Sequence, residues 1–157
     1  MRCPDCDNTL VQNQTDRGVV HQCDKCFGMW FDRDEFNQYS LWLACERKLG
    51  AGKPLFRTKP ASGVDGMQDM PKLCPVCHEK LTKKYFADYS NILIDKCEIC
   101  KGVWTNDVKM RMIVLHIQND PEVDKICRGV LNSPATDEIE KISSLVEALK
   151  SELGSWV

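Results

Sequence analysis

The chain has 157 residues, with 21 basic and 23 acidic side chains, a net charge of −2 and an apolar fraction of 43%. This size and composition are typical of one average globular domain or two small ones. The slight acidic excess excludes a surface that is basic throughout, as broad nucleic-acid binding requires. The sequence also contains no apolar run of the roughly 18 residues that a membrane-spanning helix needs. Ten cysteines are many for this length.

The first predicted element is a hairpin flanked by two C-x-x-C pairs. Residues 3–6 read Cys-Pro-Asp-Cys and residues 23–26 read Cys-Asp-Lys-Cys, with a turn signal at 15–18 and β-branched residues at 19–20. A C-x-x-C turn presents two sulfurs to one metal, and a hairpin brings the second turn opposite the first. The sequence therefore predicts a four-thiolate zinc site formed by Cys3, Cys6, Cys23 and Cys26.

A helix is expected directly after this module. Asp32 and Glu35 have the spacing of a capping box, and the helical pattern continues to Leu49. Its apolar residues cover more than one narrow stripe, which indicates burial on several sides. Glycines and prolines interrupt residues 51–70, so this segment is predicted to be a linker.

The second half of the chain repeats the first. A second C-P-x-C pair begins at residue 74, and the pattern C-x-x-C-x-G-x-W occurs at 23–30 and again at 97–104. The two pairs are separated by 16 residues in the first copy and 19 in the second, a difference that belongs in a hairpin tip. The glycine of each copy is expected to allow close backbone approach or a positive φ. A second zinc site is predicted at Cys74, Cys77, Cys97 and Cys100.

The remaining residues are predicted to be largely helical. Residues 110–117 are too apolar for a helix that is exposed on most of its surface. A short helix is predicted at 121–131 and a longer one at 136–153, where apolar residues recur at helical spacing. We therefore expect an α+β fold with two tandem zinc ribbons, each followed by an α-helix, and a helical C-terminal region. The corresponding boundaries are 1–50, 51–70, 71–118 and 119–157.

Both copies follow a pattern that is longer than the cysteines alone. C-P-x-C, an aliphatic residue four positions on, and then C-x-x-C-x-G-x-W-F-D-x-x-E are matched from Cys3 to Glu35. This pattern resembles the bacterial zinc-finger family named for its likeness to the zinc ribbon of transcription factor TFIIB. The second copy keeps the cysteines, glycine and tryptophan but departs from the pattern at Thr105, Asn106 and Lys109. The resemblance implies a zinc-ribbon fold in two tandem copies, and it says little about activity.

The leading functional hypothesis is a non-enzymatic protein-interaction or adaptor module in a transcription-related setting. Four thiolates leave no open position on a metal, so two structural zinc ions are expected. The apolar helices suit a protein partner or a homodimer. Trp30 and Trp104 are expected to pack each helix against its ribbon, with base stacking as the alternative. A cytoplasmic location is expected because residues 1–6 contain no signal-peptide core and because reduced thiols favour a metal.

Two alternative functions stay open. Lys80, Lys83, Lys84 and Tyr85 interleave charge with an aromatic side chain along the second hairpin. This pattern predicts a candidate nucleic-acid surface, although an ordinary solvated strand has the same pattern. Rubredoxin-type iron also uses four cysteines, so an iron electron carrier is the second alternative.

Overall fold

The computed structural model describes residues 1–15, 18–33, 35–48, 50, 71–87, 90–131, 140, 142–144 and 146–147. The predicted linker and most of the predicted last helix lie outside these residues, as does Leu49, the predicted end of the first helix. The elements, in chain order, are β1 Leu10–Thr15, β2 Gly18–Cys23, β3 Met29–Phe31, α1 Glu35–Lys48, β4 Thr82–Tyr85, β5 Leu93–Lys96, β6 Val103–Thr105, α2 Asp107–Gln118 and α3 Pro121–Leu131.

Each copy folds into the hairpin that its sequence predicts. In the first copy β1 pairs with β2 in antiparallel register, from Leu10 opposite Cys23 to Thr15 opposite Gly18. In the second copy β4 pairs with β5 in the same way, with Thr82 opposite Lys96. Each returning strand enters its second cysteine pair, so the hairpin register determines where the second two sulfurs lie.

The two copies are joined edge to edge into one six-stranded sheet with the order β1-β2-β3-β6-β5-β4. The junction is the antiparallel pair β3–β6, in which Trp30 lies opposite Trp104. Met29 pairs with Thr105 and Phe31 pairs with Val103 on either side. The pairing is reciprocal. Met29 is equivalent to Val103 and Phe31 to Thr105, so exchanging the two copies turns one of these pairs into the other. Such reciprocity is the signature of an isologous contact, here within one chain.

The sheet has two different faces because side chains alternate along each strand. One face carries Val20, Phe31 and Ile94, which are buried in a single apolar cluster with residues of α1 and α2. The other face carries Trp30 and Trp104, which cluster with the cysteines. Helices therefore cover one face, and the candidate metal centres lie on the other.

The apolar core is shared by both copies. Phe36 of α1 packs edge-on against Phe31, with ring centroids 5.6 Å apart, and against Phe86 of the second hairpin, at 6.0 Å. Phe86 in turn packs against His116 of α2 at 5.9 Å. Burial of an aromatic side chain of this kind contributes roughly 1.5–3 kcal/mol. Because Phe36 and Phe86 come from different copies, this stabilisation depends on both copies being folded.

The helix starts differ between the copies. The Asp32 backbone N–H donates to the Glu35 carboxylate at 3.3 Å, as in a capping box, and α1 begins at Glu35. In the second copy the Asn106 side chain accepts a hydrogen bond from the Lys109 backbone N–H at 2.9 Å and is the N-cap of α2. The second copy departs from the family pattern at Asn106, but this residue still caps the helix. The predicted helix at 121–131 is confirmed as α3.

Candidate metal centres

The first centre brings together the four cysteines predicted for it. Their sulfur atoms lie within 4.8 Å of one another, with the Sγ atoms of Cys3 and Cys26 at 3.4 Å and those of Cys6 and Cys23 at 3.5 Å. A tetrahedral zinc site with Zn–S near 2.3 Å has sulfurs about 3.8 Å apart. The arrangement is thus close to the size that a zinc ion requires.

The second centre has the same geometry. The Sγ atoms of Cys74 and Cys100 are 3.5 Å apart, and those of Cys77 and Cys97 are 3.4 Å apart. The backbone N–H groups of Val76 and Cys77 donate to the Cys74 sulfur at 3.4 and 3.5 Å. Such donors stabilise negative charge on a thiolate. Two four-cysteine groups are therefore present, each compatible with one structural zinc ion.

Each C-x-x-C turn is closed by the same backbone hydrogen bonds. In the first turn the N–H group of Cys3 donates to the Asn8 carbonyl at 2.7 Å, and that of Asp7 donates to the Cys3 carbonyl at 2.9 Å. The residue four positions after the first cysteine has a positive φ in all four turns, between 57° and 64°. These residues are Asp7, Phe27, His78 and Lys101. In the second and fourth turns the positive φ therefore falls on the residue before Gly28 and Gly102, and these glycines do not provide it. Of the two expected roles of the glycines, the close approach of another group remains.

In the metal-free protein, hydrogen bonds among the cysteines shift the pKa values of their thiols. The hydrogen bond between Cys3 and Cys26 lowers the pKa of Cys26 to about 6 and raises the pKa of Cys3. In the second centre burial opposes ionisation of Cys97, but hydrogen bonds from the Cys100 backbone and the Cys77 thiol lower its pKa to about 7. The thiolate is the form that binds zinc, so each centre holds at least one sulfur that ionises near neutral pH.

The two centres are linked by an interlock of glycine and tryptophan. A Cβ atom on Gly28 would collide with the six-membered ring of Trp104. A Cβ atom on Gly102 would collide with the ring of Trp30 and would lie 2.9 Å from the Phe31 carbonyl oxygen. Trp30 and Trp104 are buried, with exposures of 0% and 1%. The expectation of packed tryptophans is confirmed, but each ring packs against the opposite copy.

A partly buried charge network crosses the junction, and Asp95 is its buried member. The Trp104 indole N–H donates to Asp5 at 3.1 Å, and the Lys72 ammonium lies 2.8 Å from Asp5 and 2.9 Å from Asp95. Burial opposes protonation of Lys72, but these two carboxylates outweigh it and raise its pKa. For Lys109, 4.0 Å from Asp95, burial is the largest effect and lowers the pKa. No motif in the sequence pointed to this network, because its members are far apart in the chain.

The structure divides the predicted basic hairpin between two faces of β4. Lys83 and Tyr85 alternate with Lys84 along the strand and therefore point to the opposite side. Lys84 lies 3.0 Å from Glu98 in an exposed ion pair, and this contact lowers the pKa of Glu98. Lys80 is exposed and precedes the strand. The four side chains therefore do not form one continuous patch.

Comparison with known families gave a match to the first module. Residues 2–40 match the family model described as transcription factor zinc-finger, a TFIIB-type zinc ribbon. This range contains all four cysteines of the first centre. The similar four-cysteine group from Cys74 to Cys100 is consistent with two tandem copies of the ribbon. Neither the curated proteins nor the solved structures gave a match. In the part of the chain that the structure describes, no helix is long and apolar enough to cross a membrane.

Proposed function

We propose that this protein is a non-enzymatic adaptor, in which two structural zinc ions hold a protein-binding surface in place. A zinc ion with four thiolate ligands has no free coordination position for a substrate or a water molecule. The role proposed for the zinc ions is therefore to keep the ribbons rigid. The buried tryptophans and the shared core connect the ribbons to the helices on the other face of the sheet. The cytoplasm, where thiols stay reduced, and a transcription-related setting belong to the same proposal.

One observation carries the proposal, namely the outward face of α2. Val108, Met112 and Leu115 are 52%, 48% and 49% exposed and are spaced as neighbours on one side of the helix. The inward face buries Met110, Ile113, Val114 and Ile117. An exposed apolar stripe at helical spacing is the kind of surface that docks into a partner's groove.

Capture from extracts of the native cell, using the purified zinc-loaded protein as bait, tests the proposal. The variant Met112→Lys/Leu115→Lys places two charges on the stripe without entering the core. The matched control, Glu79→Lys, changes the net charge by the same two units at an exposed position outside α2 and β1. We expect a protein captured by the wild type and by the control to be lost with the α2 variant. Equal capture by all three forms, or no specific capture by any, would contradict the proposal.

Nucleic-acid binding through the second hairpin is the second candidate function. The observation that favours it is that Lys83 lies on the same face of the hairpin as Tyr85, which is 59% exposed, and Leu93, which lies opposite Tyr85. Exposed aromatic side chains beside lysines can stack on bases and contact phosphates. We expect salt-dependent RNA or DNA binding that is lost in Lys83→Ala/Tyr85→Ala. Lys84→Ala is the matched control, because this lysine is paired with Glu98. No binding at low salt would rule out this candidate.

A further inference from the structure

The six-stranded sheet ends in two open edges, the strands β1 and β4. These strands are equivalent in the two copies, and within the residues that the structure describes each pairs with another named strand on one side only. An edge strand presents unpaired N–H and C=O groups that can accept a further strand. The two edges differ in how they are protected from such pairing.

The outward groups of β1 belong to Gln12 and Gln14. The Leu10 N–H donates to the Met1 carbonyl at 3.0 Å, on the side of the strand away from β2. Because the hydrogen-bonding direction alternates along a strand, the N–H and C=O groups of Gln12 and Gln14 point to the same outer side. Val11 and Asn13 instead bond to β2, opposite Gln22 and Val20. Among the described residues, none forms a backbone hydrogen bond with Gln12 or Gln14 on that outer side.

The equivalent edge strand of the second copy, β4, carries charged side chains that oppose pairing with a further strand. β4 reads Thr-Lys-Lys-Tyr, is four residues long and contains Lys83 and Lys84. Lysine side chains and short length are common means of preventing edge-to-edge pairing. In contrast, β1 is six residues long, reads Leu-Val-Gln-Asn-Gln-Thr and contains no charged residue. Gln12 and Gln14 are both exposed. One edge of the same sheet is thus protected, and its equivalent is left open.

We propose that β1 pairs with β1 of a second copy of this chain, in antiparallel register about Asn13. In this register Gln12 lies opposite Gln14 of the second copy, so both outward residues exchange N–H···O=C bonds with their partner. Val11, which is 42% exposed, lies opposite Thr15 of the second copy and loses contact with water. The contact extends the sheet through a two-fold axis.

The occupant is a second copy rather than another strand because the edge is complementary to itself. Across a two-fold axis the strand meets a copy of itself, so any charge that it carried would lie close to the same charge, and like charges directly opposite one another are destabilising. β1 has no charge to repel its equivalent, and glutamine amides can hydrogen-bond to each other across strands. The junction β3–β6 already joins two ribbons by this kind of reciprocal edge pairing. An interface made of one strand from each chain is small, so we expect a weak dimer that depends on protein concentration.

Sedimentation velocity of the zinc-loaded protein from low to high micromolar concentration tests the inference. We expect the mass to rise from one chain towards two and to go no further, because a two-fold contact closes on itself. In Gln12→Lys/Gln14→Lys the mass should stay at one chain, because lysines then face lysines. Met112→Lys/Leu115→Lys, which changes the apolar face of α2, should still dimerise. Amide hydrogen exchange should slow at Gln12 and Gln14 when the concentration is raised.

Three results would overturn the inference. The first is a wild type that stays at one chain throughout the concentration range. The second is a mass that grows beyond two chains, as pairing of β1 with β4 of another copy would produce. The third is a dimer that survives in Gln12→Lys/Gln14→Lys or disappears only in Met112→Lys/Leu115→Lys, which would place the contact on the helices. Zinc content and circular dichroism of each variant separate these results from loss of folding.

Discussion

The two ribbons have matching metal geometry but differ in what supports their tryptophans. In the first ribbon the Trp30 indole N–H donates to Asp32, two residues along the chain, at 2.9 Å. In the second ribbon Asn106 occupies the position equivalent to Asp32 and caps α2 instead. The Trp104 indole therefore bonds to Asp5 of the first ribbon. The second copy thus depends on the first for a contact that the first makes within itself.

The largest expected effect is the loss of a metal ligand, and it should be equally severe in either copy. Cys23→Ser and Cys97→Ser each remove a fully buried ligand. Structural zinc contributes apparent free energies of roughly 10–16 kcal/mol, which is as large as the whole stability of a typical domain. Because the core is shared, we expect both ribbons to unfold together in each variant. Zinc content and tryptophan fluorescence measure this.

The control for the ligand variants is Cys45→Ala, which changes a buried cysteine outside both centres. We expect it to retain two zinc ions and to lose roughly 1–2 kcal/mol of stability. If Cys23→Ser left the second ribbon folded with its zinc ion, the two copies would be independent domains and the shared core would not govern stability.

The next largest loss of stability is expected from changes at the contacts between a glycine of one copy and the tryptophan of the other. Gly28→Ala forces a Cβ atom into the ring of Trp104, and we expect a loss of roughly 1–3 kcal/mol in the free energy of unfolding. A double-mutant cycle in urea should then couple Gly28→Ala to Trp104→Leu but much less to Trp30→Leu. Gly102→Ala should show the opposite preference. Coupling within a copy rather than across the junction would contradict the interlock.

A smaller loss of stability should distinguish the hydrogen-bond partners of the two tryptophans, Asp5 for Trp104 and Asp32 for Trp30. Asp5→Asn weakens the ion pair with Lys72 and the hydrogen bond from Trp104, and we expect a loss of about 1–2 kcal/mol. Asp32→Asn changes a carboxylate that is more exposed, so its loss should be below about 1 kcal/mol. Thermal unfolding of the two variants measures the difference. Equal losses would mean that the second copy does not depend on Asp5.

The smallest effect should be an increase in the free energy of unfolding that is the same in both copies. Asp7 and His78 occupy equivalent turn positions with φ of 57° and 61°, a region that glycine adopts without steric cost. We expect Asp7→Gly and His78→Gly each to stabilise the protein by roughly 0.5–1 kcal/mol. Chemical denaturation with both zinc ions bound is the measurement. A clear loss in one copy alone would show that its side chain makes a contact that outweighs the strain.

The sequence predicted the local structure well because the relevant signals are short. Paired cysteines, the turn before Gly18 and the strand residues after it lie within one hairpin, and the same holds for Leu93 to Cys97. The short helix at 121–131 was also predicted, and in the structure the Asp120 carboxylate accepts the backbone N–H of Glu122 at its start. Each of these features depends on residues that are neighbours in the chain.

The junction between the copies could not be predicted in the same way. Trp30 and Trp104 are 74 positions apart, and the pairing of β3 with β6 has no signature in either strand alone. The two glycines carried a partial signal, since close backbone approach was expected there, but the approaching group was not identifiable. The link from Asp5 to Lys72 and Trp104 was missed for the same reason, because it joins residues across the junction.

Native mass spectrometry of the purified protein during stepwise chelation tests whether the two zinc centres belong to one cooperative folding unit. We expect a chain that carries two zinc ions and passes to the metal-free, unfolded form with little accumulation of a folded one-zinc species. That result would follow from two centres built on one sheet and one core. A stable, folded chain carrying one zinc ion would contradict a single folding unit, and a chain that carries iron would contradict two structural zinc ions.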